Sequence, residues 1–489
     1  MAYPITLLQL SEQLISHGFN SGSELGFDLD FGLGFNLENS GLETPLQGIT
    51  TDTRTLKSGE VFVALRGERF DGHEFVERAI AQGAICAIVD HEFIRNRAQQ
   101  WANLPLLPVE NTQVAYQYLG RWWRQQFAIP VIGVTGSVGK TTTKELIASV
   151  LSTQGNVHKT QANYNNEIGV PKTLLQLTPD HDYAVIEMAM RGPGEIAKLT
   201  QITHPTIGLI TNVGTAHIER LGSEAAIARA KCELLAEMSP TSIAVLNADN
   251  SQLMATAPQF WSGDTLTYGL EQGDLRGKLI DPQTLEVEGI NLPLPLPGDH
   301  NALNFLAALA AFKVIQGRGI SPEVLYAPLK SGIVVNLPGG RAQKHLLADD
   351  IILLDETYNA GLESMTAALK LLRATPGQRH IAVLGTMKEL GAYSVKFHQQ
   401  VGQIARELNL DALFIFADPE AATAMATGAA GLPWIEIAGI ESEQAHQNLA
   451  DRLQQLIQPG DRILFKASRS VALNRVVERL QQIFSSEPD

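Results

Sequence analysis

At 489 residues the chain is too long for one hydrophobic core, and about three domains is the natural division. Its 44% hydrophobic and 18% charged residues are ordinary for a globular enzyme, with no dominant low-complexity tract, so a substantial core is expected. A net charge of −15 argues against a nucleic-acid partner, because phosphate-backbone binding needs a basic surface, although local Lys, Arg and helix N-termini could still hold a small phosphorylated substrate.

The first segment, residues 1–126, opens on MAYPITLLQLSEQLISHG, which has neither a basic n-region nor a small-residue cleavage site, so no signal peptide is expected. A Gly/Phe/Leu-rich stretch over 22–41 has no helical period and reads as a surface hairpin or long loop. A mixed α/β pattern follows, with strands over 60–65 and 84–89 and an amphipathic helix over 73–82. The second segment, 127–336, alternates Val/Ile-rich strands with helices. The strands fall at 131–135, 183–188, 206–212 and 242–247 and indicate a parallel sheet covered on both faces. Each of these strands runs into polar residues: the glycine loop, Glu187, Asn212, or Asn247 with Asp249. Ligands of open α/β sheets bind beyond the carboxyl ends of strands. Residues 303–315, the most apolar stretch, are interrupted by Asn304 and Lys313 and are too short to span a bilayer. The third segment, 337–489, repeats the alternation with strands over 351–355, 380–385, 412–417, 434–437 and 462–467. It reads as Rossmann-like but lacks a G-x-G-x-x-G fingerprint, so a dinucleotide is not expected there. The two cysteines, Cys86 and Cys232, match neither a disulfide framework nor a zinc spacing, which suits a reducing compartment. A cytoplasmic protein without membrane insertion is expected, and a monomer.

Residues 133–142 read GVTGSVGKTT between a strand and a helix expected over 143–153. Glycines let successive N–H groups converge on phosphate oxygens, and the helix N-terminus adds partial positive charge. Lys140 would reach the β- and γ-phosphates and the Thr141 hydroxyl would ligate Mg²⁺, with Gly136, Ser137, Gly139 and Thr142 completing the cradle. The spacing is G-x-x-G-x-x-G-K-T rather than strict G-x-x-x-x-G-K-T. Glu187 ends a strand, His217 lies in TNVGTAHIERLGS and Lys231 in ARAKCELL. Phosphoryl transfer needs Mg²⁺ held by carboxylate, hydroxyl and water, and Glu187 with Thr141 could form one such site.

This glycine spacing resembles the Mur ligase and folylpolyglutamate synthetase superfamily, and the order of the Glu-Met, N-V-G-x-A-H and A-K-x-E blocks strengthens the resemblance. The resemblance implies an α/β chain of three domains: an N-terminal UDP-binding domain (1–126), a central ATP-binding P-loop domain (127–336), and a C-terminal Rossmann-like domain binding the incoming dipeptide (337–489). It also implies that the residue matching Lys231 is carbamylated, and that Glu187, Thr141, His217 and Lys231 hold metal. The catalytic assignments are Lys140, Lys231 and His217. Asn247, His300 and Asn304 would contact the nucleotide, mainly its adenine side, and the C-terminal domain would bring Arg341 and Asp355 to ATP on closure.

The segments TDTRTLKSGEVFVALRGERFDGHEF (51–75), NYNNEIGVPKTLL (163–175), TYNAGLESM (357–365), VLGTMKELG (383–391) and KASRS (466–470) resemble one branch of the Mur ligases. That branch joins D-alanyl-D-alanine to a UDP-N-acetylmuramoyl tripeptide. Thr53 and Arg54 would then grip the uridine nucleotide, since the Arg fork pairs with diphosphate oxygens. Asn163, Asn165 and Asn166 would orient the peptide carboxylate, with Tyr358 and Asn359 on the dipeptide side. The chain departs from the usual pattern at Gly361, Thr386 and Ala467, where Asn, Asp and Gly are common, so any change in specificity belongs to the dipeptide side. A sibling ligase of the superfamily is the alternative. The D-N-P-R motif of the diaminopimelate-adding sibling and the N-K-x-D reader of a GTPase are both absent. An acyl-phosphate route implies exclusion of water by domain closure, with hinges expected near 126–131 and 333–339.

Overall fold

The computed structural model describes residues 5–16, 43–67, 70–95 and 104–485. The stretch 22–41, expected to be a hairpin or loop, lies outside the described residues. The chain divides into two compact units. One comprises Met1–Val131, Asn156–Met188 and Lys198–Pro205; the other comprises Ile132–Gly155, Ala189–Ala197 and Thr206–Asp489.

The first unit is built on four parallel strands in sequential order: β1 (Gly48–Thr50), β2 (Glu60–Val63), β3 (Cys86–Asp90) and β4 (Leu106–Val109). Phe62, Ala64, Val76, Ala87 and Val89 pack into one core against them. The helix expected over 73–82 is α-helical only across Val76–Ala81 and begins as a tighter turn, Gly72–Phe75, capped by Asp71. The reason is His73. Its ring is buried, Nδ1 donates to Asp71 Oδ1 (2.6 Å), and Nε2 accepts from the Asp90 N–H (3.0 Å), which a regular first turn would not permit. Further along, the helix Thr112–Gln125 is capped by Asn111 and buries Tyr116, Leu119 and Trp123. The Trp123 indole donates to the Leu177 carbonyl (3.0 Å), tying residues 156–188 into this unit. That segment carries the parallel pair β6 (Val157–Lys159) and β7 (Tyr183–Glu187), the second ending in Glu187; the neighbouring strand is β5 (Val131–Thr135) in sequence.

In the second unit β5, β8 (Ile207–Ile210), β9 (Ile243–Asn247) and β10 (Thr265–Gly269) run parallel, and β11 (Leu275–Asp281), β12 (Thr284–Val287) and β13 (Ile290–Pro293) extend the sheet. Strands β11 to β13 are antiparallel hairpins that periodicity does not announce, because β11 alternates buried and exposed residues for only half its length. The β12–β13 turn, Glu288-Gly289, has positive φ at both residues (50° and 81°), the geometry that matches strand twist in a two-residue hairpin. The register that matters pairs Thr135 with Ile210 and Ile210 with Leu246. It brings the carboxyl ends of β5, β8 and β9 level, so the chain leaves all three strands side by side.

The helix Asp299–Gln316 contains the apolar stretch 303–315 and buries Phe305, Leu306, Leu309 and Phe312 almost completely. A helix apolar all round belongs in a core, and this one packs on the helix Lys140–Leu151 that follows β5. No helix among the described residues is long and apolar enough to cross a membrane. The C-terminal sheet has β14 (Gln343–Leu346), β15 (Ile352–Asp355), β16 (Arg379–Gly385), β17 (Ala412–Phe416), β18 (Ile435–Ile437) and β19 (Asp461–Lys466) in the order β14-β15-β19-β16-β17-β18. Only the edge strand β14 is antiparallel, so the five expected strands form the Rossmann-like parallel sheet.

Candidate functional site

Between β5 and the helix Lys140–Leu151 the backbone turns through Gly136 and Gly139, whose φ values are +152° and +82°. A Cβ on Gly136 would collide with the Thr211 hydroxyl, and one on Gly139 would stand 2.6 Å from Asn304 Oδ1. Both glycines are therefore set by close approach as well as by φ. The helix starts at Lys140, three residues earlier than its sequence suggests, so the Thr141 and Thr142 amides lie in its first turn among the N–H groups that lack helical partners.

Residues 211–214, leaving the end of β8, strap this loop down. Thr211 Oγ1 (2.7 Å) and Asn212 Nδ2 (3.1 Å) both donate to the Val138 carbonyl. In return, Asn212 accepts from the Val138 N–H at Oδ1 (3.0 Å) and from the Ser137 N–H at its carbonyl (3.0 Å), while the Gly214 N–H donates to Ser137 Oγ (2.9 Å). Lys140 folds back so that Nζ donates to the carbonyls of Gly136 (2.6 Å) and Ser137 (3.1 Å). Asn304 accepts from the Thr143 hydroxyl (3.2 Å), so it supports the loop and helix from below.

Lys231, on the helix Glu224–Glu237, is 1% exposed. Burial, and then the charge of Lys140, push its amine well below the ordinary lysine pKa. His217 has φ +67°, and its Nδ1–H donates to Glu389 Oε2 (2.7 Å), which leaves Nε2 unused by that contact. The same bond holds the Glu389 carboxyl below its usual pKa. In the first unit Glu187 ends β7 with Oε1 accepting from Asn165 Nδ2 (2.8 Å), while Oε2 is buried without a partner. A buried carboxylate oxygen left unpaired is a donor awaiting a cation. Among the described residues no three His, Cys, Asp or Glu side chains cluster as a ready-made metal site.

The other expected contacts divide into groups with and without structural partners. Asn247 donates to the Thr211 carbonyl (2.9 Å) and so braces the strap, and Asp249 is taken up by the N–H groups of Leu270 (2.7 Å) and Gln272 (2.9 Å). Burial lowers the pKa of His300. Asp355 Oδ1 accepts from the backbone N–H (3.0 Å) and hydroxyl (2.6 Å) of Thr357. The Arg341 guanidinium stacks on Tyr358 at 3.9 Å, its Nε buried and unpaired, and Arg469 approaches the same ring at 5.5 Å. Asn359 is exposed, and its carbonyl accepts from the buried Lys466 Nζ (3.0 Å). Lys466 is held below its usual pKa mainly by burial. In the first unit Thr53 is buried, while the exposed Arg54 fork lies on Asp52 (2.6 Å) and holds that carboxyl down at a pKa of about 2. Of the three amides expected to act together, Asn163 is exposed, Asn165 holds Glu187, and Asn166 accepts from the Gly169 N–H (2.9 Å) where the helix Gly169–Leu174 begins. The residues not singled out in the sequence are Thr211, Glu363 and Glu389. Glu363 accepts from the Thr215 N–H (2.6 Å) and hydroxyl (3.1 Å).

Three family profiles match consecutive parts of the chain: Mur ligase family, catalytic domain, over residues 45–125; Mur ligase middle domain over 134–312; and Mur ligase, glutamate ligase domain, over 340–469. The UDP-N-acetylmuramoyl-tripeptide–D-alanyl-D-alanine ligase of Synechocystis sp. is 55% identical, covering 89% of this chain and 92% of the relative. The enzyme of that name from Escherichia coli is 38% identical over 91% and 96%. Among solved structures, MurF from Acinetobacter baumannii superposes with a TM-score of 0.78 at 32% identity, covering 90% of this chain and 94% of that one. MurF ligase from Thermotoga maritima in complex with ADP gives 0.77 at 29% identity, covering 90% and 98%.

Substituting Gly139→Ala places a side chain at φ +82° and against Asn304. Strain of about 1–3 kcal/mol at such a residue is expected to weaken ADP binding roughly tenfold or more. Titration calorimetry reads this directly, and an unchanged affinity would mean that the loop does not hold the phosphates.

Proposed function

The chain belongs to the Mur ligase family, and from that premise we propose that it joins D-alanyl-D-alanine to a UDP-N-acetylmuramoyl tripeptide while ATP is cleaved to ADP and phosphate. The product is the UDP-muramoyl pentapeptide, a peptidoglycan precursor made in the cytoplasm by a monomeric enzyme. The observation that supports this most is the strapped phosphate loop, with Lys140 folded over its carbonyls and Lys231 buried within electrostatic reach.

The chemistry proceeds in two displacements. An oxygen of the tripeptide's free carboxylate attacks the γ-phosphorus, the bridging P–O bond breaks, and ADP departs, leaving an acyl phosphate. The dipeptide amine attacks the acyl carbon, phosphate leaves with its electron pair, and the nitrogen loses a proton to give the amide. Lys140, the loop N–H groups and the helix N-terminus offset the charge that accumulates on the phosphate oxygens.

In its neutral form the Lys231 amine can add to carbon dioxide: a C–N bond forms, a proton leaves, and the amine becomes an anionic carbamate. Thr141, Glu187, His217 and that carbamate would hold Mg²⁺, which when bound neutralises phosphate oxygens. The buried, unpaired Oε2 of Glu187 suits such a hard cation. On the substrate sides, Thr53 and Arg54 would hold the uridine nucleotide, Asp52 yielding the Arg54 fork to the diphosphate. Asn163 and Asn165 would face the peptide carboxylate. Asn247, His300, Asn304, Arg341 and Asp355 would enclose the nucleotide, and Tyr358 and Asn359 the dipeptide. Domain boundaries near 126 and 336 would let the three parts close and keep water from the acyl phosphate.

Phosphate release is expected only when tripeptide and dipeptide are both present, and Lys140→Ala should lower kcat by about 10²-fold or more. Rapid phosphate release with ATP alone would overturn the ligase assignment. For Lys231, equilibration with ¹³C-bicarbonate should give one carbamate resonance in the NMR spectrum that vanishes in Lys231→Arg. A resonance surviving in that variant would remove the modification from Lys231.

A further inference from the structure

Glu363 has no part in the chemistry described above, yet its surroundings are built around its carboxylate. It lies in the first turn of the helix Leu362–Ala374, two residues beyond the Gly361 N-cap. From there Oε1 accepts from the Thr215 N–H at 2.6 Å and Oε2 from the Thr215 hydroxyl at 3.1 Å, so one buried threonine meets both oxygens. A short N–H···O⁻ contact of this kind is charge-assisted and about twice as strong as a neutral one. Room for it depends on Gly214, where a Cβ would stand 2.5 Å from Oε1 and 2.7 Å from Cδ. Gly214 and Thr215 continue the strap, and the Gly214 N–H donates to Ser137 in the phosphate loop. On its other side Glu363 follows Tyr358 and Asn359 in the chain, and Lys466 fixes the Asn359 carbonyl. Hydrogen bonds therefore join Glu363 to Thr215 and Gly214 to Ser137, and the chain itself carries the connection between Thr215 and Gly214 and from Glu363 back to the 356–361 loop.

We propose that Glu363 is a positioning residue that latches the 356–361 loop to the phosphate-loop strap, so that occupancy of the dipeptide side and of the nucleotide loop favour one another. This rests on the ligase assignment, which puts the dipeptide beside Tyr358 and the nucleotide on the loop. Coupling is reciprocal: whatever dipeptide binding does for the latch, it does for ADP affinity by the same factor.

The test is ADP titration calorimetry at saturating UDP-muramoyl tripeptide, with and without saturating D-alanyl-D-alanine. In the unmodified enzyme the dipeptide is expected to tighten ADP at least about fivefold. Glu363→Ala should bring that factor close to one. Glu363→Gln should restore most of it, because its carbonyl can accept from the Thr215 N–H while its amide donates to the hydroxyl. Gly214→Ala, which keeps the carboxylate but obstructs its approach, should reproduce the loss, and this arm decides the matter if Glu363→Ala melts below the assay temperature. A purely structural role would lower the melting temperature and leave the coupling factor intact, and that result overturns the proposal. So does an unmodified enzyme that binds ADP and forms the amide but shows no coupling. Absence of both ADP binding and amide formation would instead bring down the ligase assignment, and the latch with it.

Discussion

Everything in the site hangs on the Val138 carbonyl and the two side chains that donate to it, Thr211 and Asn212. A glycine-rich loop is entropically costly to fix, and its N–H groups converge on an anion only if something outside the loop holds it. Here the holder is the chain leaving the next strand, and parallel register makes that possible. Thr135 faces Ile210, so residue 136 onward runs beside residue 211 onward. The irregular glycine spacing follows from the same constraint: Gly136 must pass the Thr211 hydroxyl, and Gly139 must pass Asn304.

Both units hold buried charges that the protein could have left in water. Lys231 is 1% exposed, Lys466 is 3% exposed, and Glu187 is 2% exposed with one oxygen unpaired. Desolvating such groups costs several kcal/mol each unless something compensates, so their burial points to chemistry rather than packing. Lys466 has its compensation in the Asn359 and Glu356 oxygens. Burial holds the Lys231 amine well below its usual pKa and Glu187 has only one oxygen paired, which is why both are assigned partners brought by the reaction.

The sequence made the parallel strands legible because Val- and Ile-rich runs such as 131–135 and 412–416 are buried on both faces, which no amphipathic helix requires. Lys140, Thr141 and Glu187 were legible for a related reason, since polar residues directly after such strands stand where ligands bind. The hairpins β11 to β13 were not, because short half-exposed strands carry little periodic signal. Nor were Glu363 and Glu389 marked out, because what gives each its role lies far away in the chain. Their partners Thr215 and His217 are 148 and 172 residues distant. In the run Asn163–Asn166 the amides make different contacts that spacing alone does not announce: Asn165 donates to Glu187, and Asn166 accepts from the Gly169 N–H.

The central claim is that the strapped loop presents the γ-phosphate to a substrate carboxylate, so that carboxylate oxygen and phosphorus become bonded. Tripeptide labelled with ¹⁸O in its free carboxylate tests this most directly. Turnover with ATP and D-alanyl-D-alanine should leave one labelled oxygen in each inorganic phosphate released, detected by mass spectrometry. Phosphate carrying no label, with amide still formed, would contradict the account.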